Sequence, residues 1–173
     1  MQYLKLAYTL TKILLLSDTH SHIDDTILKY AKQADEIWHA GDIGSLEVTD
    51  ALQKIKPLRA VHGNIDDHVL QKEFPENNRF MCEGVDVYMT HIGGYPPKYN
   101  IRTRDIIKQN PPKIFISGHS HILKVMMDKK LGVLHMNPGA CGKHGFHQMR
   151  TMLRFVINGD QIKDLEVIEI GKR

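Results

Sequence analysis

Short runs of Ile, Val and Leu alternate along the chain with stretches whose apolar positions recur every three or four residues. Ile13–Leu16 predicts a buried strand. Beyond it Ile23, Ile27, Leu28, Ala31 and Ala34 fall at helical spacing, with Asp24 and Asp25 where a helix N-terminus favours acidic groups. Ile37–Ala40 predicts a second strand. A second helix follows over Leu46–Ile55, carrying Val48, Leu52 and Ile55 on one face. Pro57 stops it, and Leu58–Val61 predicts a third strand. This βαβαβ rhythm implies a mainly parallel sheet with right-handed crossovers.

The rhythm then changes. Arg79–Cys82 and Val85–Thr90, separated by Glu83-Gly84, predict a hairpin. The turn-forming Tyr95-Pro96-Pro97 precedes a helix over Ile101–Lys108, which ends before Asn110-Pro111-Pro112, and Ile114–Ser117 predicts another strand. In the last third, Lys124–Met127, Val133–Met136, Met152–Ile157 and Leu165–Ile170 read as antiparallel ribbons, with turns at Leu131-Gly132 and Asn158-Gly159. No repeat, linker or low-complexity tract interrupts the pattern. The expectation is one α/β domain over 1–173 with two packed sheets, residues 1–11 forming an N-terminal extension or an added edge strand.

Composition narrows the function. With 42% hydrophobic and 25% charged residues in 173, the chain lies in the ordinary globular range, which excludes disordered and fibrous classes. Net charge is +3, from 23 basic against 20 acidic residues, and the basic residues are scattered. There is no electrostatic case for dedicated nucleic-acid or membrane binding, while a small anionic substrate is allowed. Cys82 and Cys141 stand far apart without a C-x-x-C, so neither a disulfide framework nor a thiolate zinc site is indicated. No run approaches the roughly 20 apolar residues that span a bilayer. Lys5, Lys12 and the leucines between them have a faint signal-peptide look but no small-residue cleavage site, so a cytoplasmic protein is expected. Histidine is the exception to this ordinariness, with eleven residues.

Five apolar runs end in the same kind of residue. Ile13–Leu16 leads into Asp18 and His20, Ile37–Ala40 into Gly41-Asp42, and Leu58–Val61 into Gly63-Asn64. Val85–Thr90 leads into His91, and Ile114–Ser117 into Gly118-His119-Ser120-His121. Ligands of open α/β sheets collect outside the carboxyl ends of the strands, so these residues should converge. Carboxylate, amide oxygen and imidazole suit divalent ions such as Mn, Ni, Fe or Zn. Asp18, His20, Asp42, Asn64, His91, His119 and His121 are too many for one ion with an open position. They fit two ions about 3.5–4 Å apart, with Asp42 on the central strand as the shared carboxylate.

Together, Asp18-Thr19-His20, Gly41-Asp42, Gly63-Asn64-Ile65-Asp66, His91 and Gly118-His119-Ser120-His121 resemble the calcineurin-like metallophosphoesterases. The small size and Asn137-Pro138-Gly139 are similar to the compact bacterial and archaeal phosphodiesterase branch, over about Lys12–Asn158. The resemblance implies a four-layer α/β/β/α sandwich with two mixed sheets. It implies a dinuclear centre in which Asp18, His20 and His121 hold one ion, Asn64, His91 and His119 the other, and Asp42 bridges. Manganese is the first expectation for the metal. The implied reaction is hydrolysis of small phosphate esters, most directly phosphodiesters, by a hydroxide held between the ions.

One position departs from the wider family. A His after the Gly-Asn is read there as proton donor or phosphate ligand, and here Ile65 stands in its place with Asp66 retained. Ile65 can do neither. The replacement is sought in Gly142-Lys143-His144-Gly145-Phe146-His147, with His144 as the candidate catalytic residue. His39 and His62, taken as lying within strands, read as packed or supporting groups. His22 is expected to orient His20 or cap the helix, and His68 and His135 have no role. The competing reading is a non-enzymatic protein-binding scaffold of this fold, like the small retromer subunit. It predicts a depleted ligand set, whereas all seven positions here are ligand-competent. Exposed ribbon edges are compatible with a homodimer.

Overall fold

The computed structural model describes residues 10–173, so the expected extension or edge strand at 1–11 falls almost wholly outside the described residues. Strand β1 (Leu10–Leu16) forms a five-stranded sheet with β2 (Glu36–His39), β3 (Leu58–Ala60), β11 (Met149–Asn158) and β12 (Gln161–Lys172), in the order β12-β11-β1-β2-β3. Neighbours β1, β2 and β3 are parallel, while β11 is antiparallel to both β1 and β12. A second five-stranded sheet has the order β4-β5-β8-β10-β9, from β4 (Asn77–Cys82), β5 (Val85–Thr90), β8 (Ile114–Ile116), β9 (Leu123–Asp128) and β10 (Val133–Pro138). Both sheets are mixed, as expected.

Strand β1 shows why its sequence is a continuous apolar run. Side chains alternate across a strand, and here both faces are buried. Ile13 and Leu15 point between the sheets, where they meet Val87, Met89, Ile114 and Phe155. Leu14 and Leu16 point the other way, onto helices α1 (Asp25–Ala31), α2 (Leu46–Gln53) and α3 (His68–Glu73) through Ile27, Val48, Leu52 and Leu70. Trp38 sits in the inter-sheet layer, edge-on to Phe80 at 5.1 Å and Phe155 at 5.5 Å. Truncating it to Ala would cost about 3–5 kcal/mol. Helix α4 (Ile101–Gln109) covers the far face of the second sheet by packing Ile107 on Tyr88, Phe115 and Val133. The layers are therefore α/β/β/α.

Helix α3 was not legible in the sequence. It has six residues with Leu70 buried, too short for a period, and it starts because the Asp67 side chain accepts from the Val69 and Leu70 N–H groups. A small hairpin of β6 (Gly94–Tyr95) and β7 (Lys98–Tyr99) encloses the Pro96-Pro97 turn. The ribbons of the last third are antiparallel pairs, but they divide between the sheets. Strand β10 also lies parallel to β8, which brings the Asn137 end of β10 to the functional rim.

Candidate metal centre

The carboxyl ends of β1, β2 and β3 point to the same rim as those of β5 and β8, and the loops leaving them are laced together. Beyond β1, the N–H groups of Asp18, His20 and Ser21 donate to the carbonyls of Gly41, Asp42 and Ile43 at 3.0, 3.0 and 2.8 Å. Beyond β5 and β8, Gly118 N–H donates to the His91 carbonyl at 3.0 Å. Asp18 joins the two halves, its Oδ2 accepting from His119 N–H at 3.2 Å. These bonds hold the loops in unusual backbone conformations. Asp18, His20, Asp42, His119 and His121 have φ between 46° and 68°. Non-glycine residues rarely adopt that region, and such strain gathers at functional sites.

The side chains form two groups that share one member. Potential ligand atoms of Asp18, His20, Asp42 and His121 lie within 4.8 Å of one another, and so do those of Asp42, His91 and His119. Asp42 belongs to both. Its Oδ1 is 3.2 Å from His91 Nε2 and its Oδ2 3.6 Å from His20 Nε2. Asn64 is exposed beside the second group and lines cavities that also contain Asp42 and His119, or His91. All seven candidate residues therefore meet at one rim.

Protonation follows from the partners. His91 Nδ1 is 2.7 Å from the Ala40 carbonyl, which only accepts, so Nδ1 carries the proton and Nε2 faces the cluster. Burial works to lower the His91 pKa, but the Asp42 and Asp18 carboxylates and the Ala40 carbonyl outweigh it, and the net shift is upward. Burial pushes His20 down despite the same two carboxylates. For Asp42 burial acts upward, yet His91, the Ile65 N–H and His20 bring the net shift below the ordinary carboxylate value.

Among the described residues, four buried side-chain atoms lack a hydrogen-bond partner. Two of them, Asp18 Oδ1 and His91 Nε2, belong to these donor groups, standing 3.2 Å from His121 Nε2 and Asp42 Oδ1 respectively without hydrogen-bond geometry. Leaving a buried polar group unpaired costs about 1–3 kcal/mol, and both are aimed into the cluster. That pair of orphans, in a set of carboxylate oxygens and imidazole nitrogens without thiolate, fits divalent ions.

Supporting residues explain the local sequence. Asp66 is buried, and its carboxylate accepts from Gly44 N–H and Gly63 N–H, each at 2.7 Å, so it clamps the loops after β2 and β3. Position 63 must be Gly, because a Cβ there would overlap Asp42 Oδ1. His39 is buried with its pKa lowered to about 4 by burial. It accepts Gly41 N–H on Nδ1 and donates through Nε2 to Thr19 Oγ1. His62 corrects the expectation of a strand residue, since it lies past the end of β3 in the small cavity shared by Asn64 and His91. His22 meets the helix-capping Asp24 at 3.0 Å. His135 is buried against Ser117 Oγ at 3.0 Å. Cys141 is fully buried, its thiol pushed up to about 12 mainly by burial.

His144 is exposed at the mouth, its ring 4.9 Å from that of His20. It helps line a cavity of about 500 Å³ with His20, Asp42, Asn64, His119 and His121. Exposed Ile65, Ile122 and Phe146 form an apolar rim, and among the described residues lining this cavity there is no Lys or Arg. His147, which no spacing rule singles out, also stands here, 3.3 Å from His121.

Over residues 11–160 the sequence matches the calcineurin-like phosphoesterase superfamily domain. The chain belongs to that superfamily. A probable metallophosphoesterase of Methanothermobacter thermautotrophicus is 27% identical over 164 residues, spanning 91% of each protein. Among solved structures, a novel archaeal phosphodiesterase is similar with a TM-score of 0.70 at 22% identity, over 92% of this chain and 99% of that one. Vps29 from Entamoeba histolytica, solved in complex with zinc, is similar with a TM-score of 0.71 at 16% identity, over 91% and 98%. At these identities the solved structures establish the fold. Divalent metal is what the superfamily implies, and the clustered donors of this calcineurin-like domain fit it.

Proposed function

We propose that this calcineurin-like protein is a metal-dependent phosphodiesterase acting on small phosphate esters with two ions per chain. The observation that carries this reading is the pair of donor groups sharing Asp42, with Asp18 Oδ1 and His91 Nε2 buried there and satisfied by no hydrogen bond. Asp18, His20 and His121 would hold the first ion, Asn64, His91 and His119 the second, and Asp42 both. Bound divalent ions supply an activated water at neutral pH and neutralise charge on the phosphate oxygens.

The remaining contributions belong to the protein. The laced loops hold the donors in place before substrate arrives, so little reorganisation is needed. The lining without Lys or Arg favours a singly charged diester over a doubly charged monoester, and Ile65, Ile122 and Phe146 offer apolar contact to its ester groups. His144 is the group we assign to protonate the leaving oxygen, since its ring stands in the cavity and Ile65 cannot do so. The complete donor set is also what separates this reading from a protein-binding scaffold.

The test is a panel of phosphomonoesters, phosphodiesters and cyclic nucleotides, each with Mn, Ni, Mg or Zn. The proposal expects chelator-sensitive hydrolysis, fastest on diesters and with Mn. Metal binding without hydrolysis of any ester would favour the scaffold.

A further inference from the structure

The loop from β10 to β11 meets the first donor group through a side chain, and the hydrogen-bond directions there can be worked out atom by atom. His147 Nε2 lies 3.0 Å from the Gly142 carbonyl oxygen. A carbonyl only accepts, so Nε2 carries the proton and the neutral ring keeps its lone pair on Nδ1. That Nδ1 is 3.3 Å from His121 Nδ1, which must therefore be the donor. With its proton on Nδ1, His121 keeps the lone pair on Nε2. Nε2 is the atom that faces the cluster, 3.3 Å from His20 Nε2 and 3.2 Å from Asp18 Oδ1, an oxygen that accepts no hydrogen bond and so does not claim the proton.

The backbone is built to allow this contact. Gly145 has a φ of +122°, and a Cβ at that position would overlap His121 Nδ1 and Cε1. Only glycine lets the loop lie close enough for His147 to reach His121. Gly142, whose carbonyl orients His147, is itself tied to the first ligand loop, its N–H donating to the Asp18 carbonyl at 3.1 Å. The loop therefore packs on Asp18 and on His121 together.

We propose that His147 is a positioning residue that fixes the ring tautomer of His121 and so presents Nε2 of His121 to a divalent ion. This rests on the reading of His121 as a ligand of the first ion. The two donor groups then differ in kind. His91, in the second group, is oriented by the Ala40 carbonyl, a backbone atom that no substitution removes. His121, in the first group, is oriented by a side chain. The first site alone can be weakened by a change at position 147. Partners of this sort affect metal affinity by about 10–100-fold.

The first readout needs no metal. In the metal-free wild-type protein at mildly alkaline pH, 15N shifts of the His121 ring should report the Nδ1–H tautomer. An Nε2–H tautomer in wild type would overturn the proposal without any mutation. His147→Phe keeps a ring in the loop but has no acceptor, and His147→Gln restores one through Oε1. In His147→Phe the His121 tautomer should shift toward Nε2–H, and Co2+ titrations followed by absorbance should show one of two sites weakened about 10–100-fold, the other unchanged. His147→Gln should recover most of that loss, which a role confined to loop packing would not produce. Wild-type affinity at both sites in His147→Phe would overturn the proposal. If wild type shows the Nδ1–H tautomer but binds no divalent ion, the metal reading fails and this inference fails with it, by a visibly different result.

Discussion

Replacing Asp42 by Asn keeps the shape of the side chain, removes one negative charge and turns one oxygen into an amide nitrogen. Which oxygen survives can be read from the structure. Oδ1 accepts from Ile65 N–H at 3.1 Å, and an amide nitrogen cannot accept, so the Asn oxygen must take that place. The NH2 group then points to where Oδ2 was, 3.6 Å from His20 Nε2. The first donor group loses its shared oxygen and the second keeps it. Each ion present at 100 times its Kd adds about 2.7 kcal/mol to folding stability. Two ions add about 5 kcal/mol, which for a chain of this size raises Tm by about 10–20 °C. The variant should show about half that rise, measured by differential scanning calorimetry with and without saturating Mn. Its diester hydrolysis should fall at least about 100-fold, a loss of about 2.7 kcal/mol in transition-state stabilisation. An undiminished rise in Tm together with more than a tenth of wild-type activity would refute the bridging role.

Two further predictions concern the proton donor and the fold. For aryl phosphodiesters, wild type should show a shallow dependence of log rate on leaving-group pKa. His144→Ala should steepen it and slow the poorest leaving groups by about 10²–10⁴-fold, whereas an unchanged slope would remove His144 from the reaction. Asp24 caps α1, and although burial acts to raise its pKa, bonds from Ile27 N–H, His22 and Arg150 hold it at about 2 against an ordinary 3.8. Its folded value lies below its unfolded one, so its contribution is complete above about pH 4 and is lost as pH falls toward 2, a change of about 2 kcal/mol. In urea melts across that window, the stability difference between wild type and Asp24→Asn should shrink by that amount. A constant difference would mean that the charge contributes nothing.

Where the sequence was informative, the reason was local. Leu14, Leu15 and Leu16 read as a strand because both faces of β1 are buried, and Asp24 marked a helix start because it caps α1. The convergence of Asp18, His20, Asp42, His91, His119 and His121 is legible because each comes within a few residues of a strand end, and strand ends of a parallel sheet share a rim. The roles that no local pattern carries depend on loops brought together by folding. Asp66 shows its role only against Gly44, 22 residues away, and His147 only against His121, 26 residues away. His62 was misplaced because β3 stops at Ala60, earlier than its apolar run suggests. No local pattern encodes such pairings.

The proposed two-ion phosphodiesterase centre can be tested by titrating chelator-treated protein with Mn2+ while following hydrolysis of an aryl phosphodiester and counting bound ions by elemental analysis. Two donor groups sharing Asp42 predict that activity rises from nothing and levels off as the bound metal approaches two ions per chain. A plateau at one bound ion, or no hydrolysis with two bound, would contradict it.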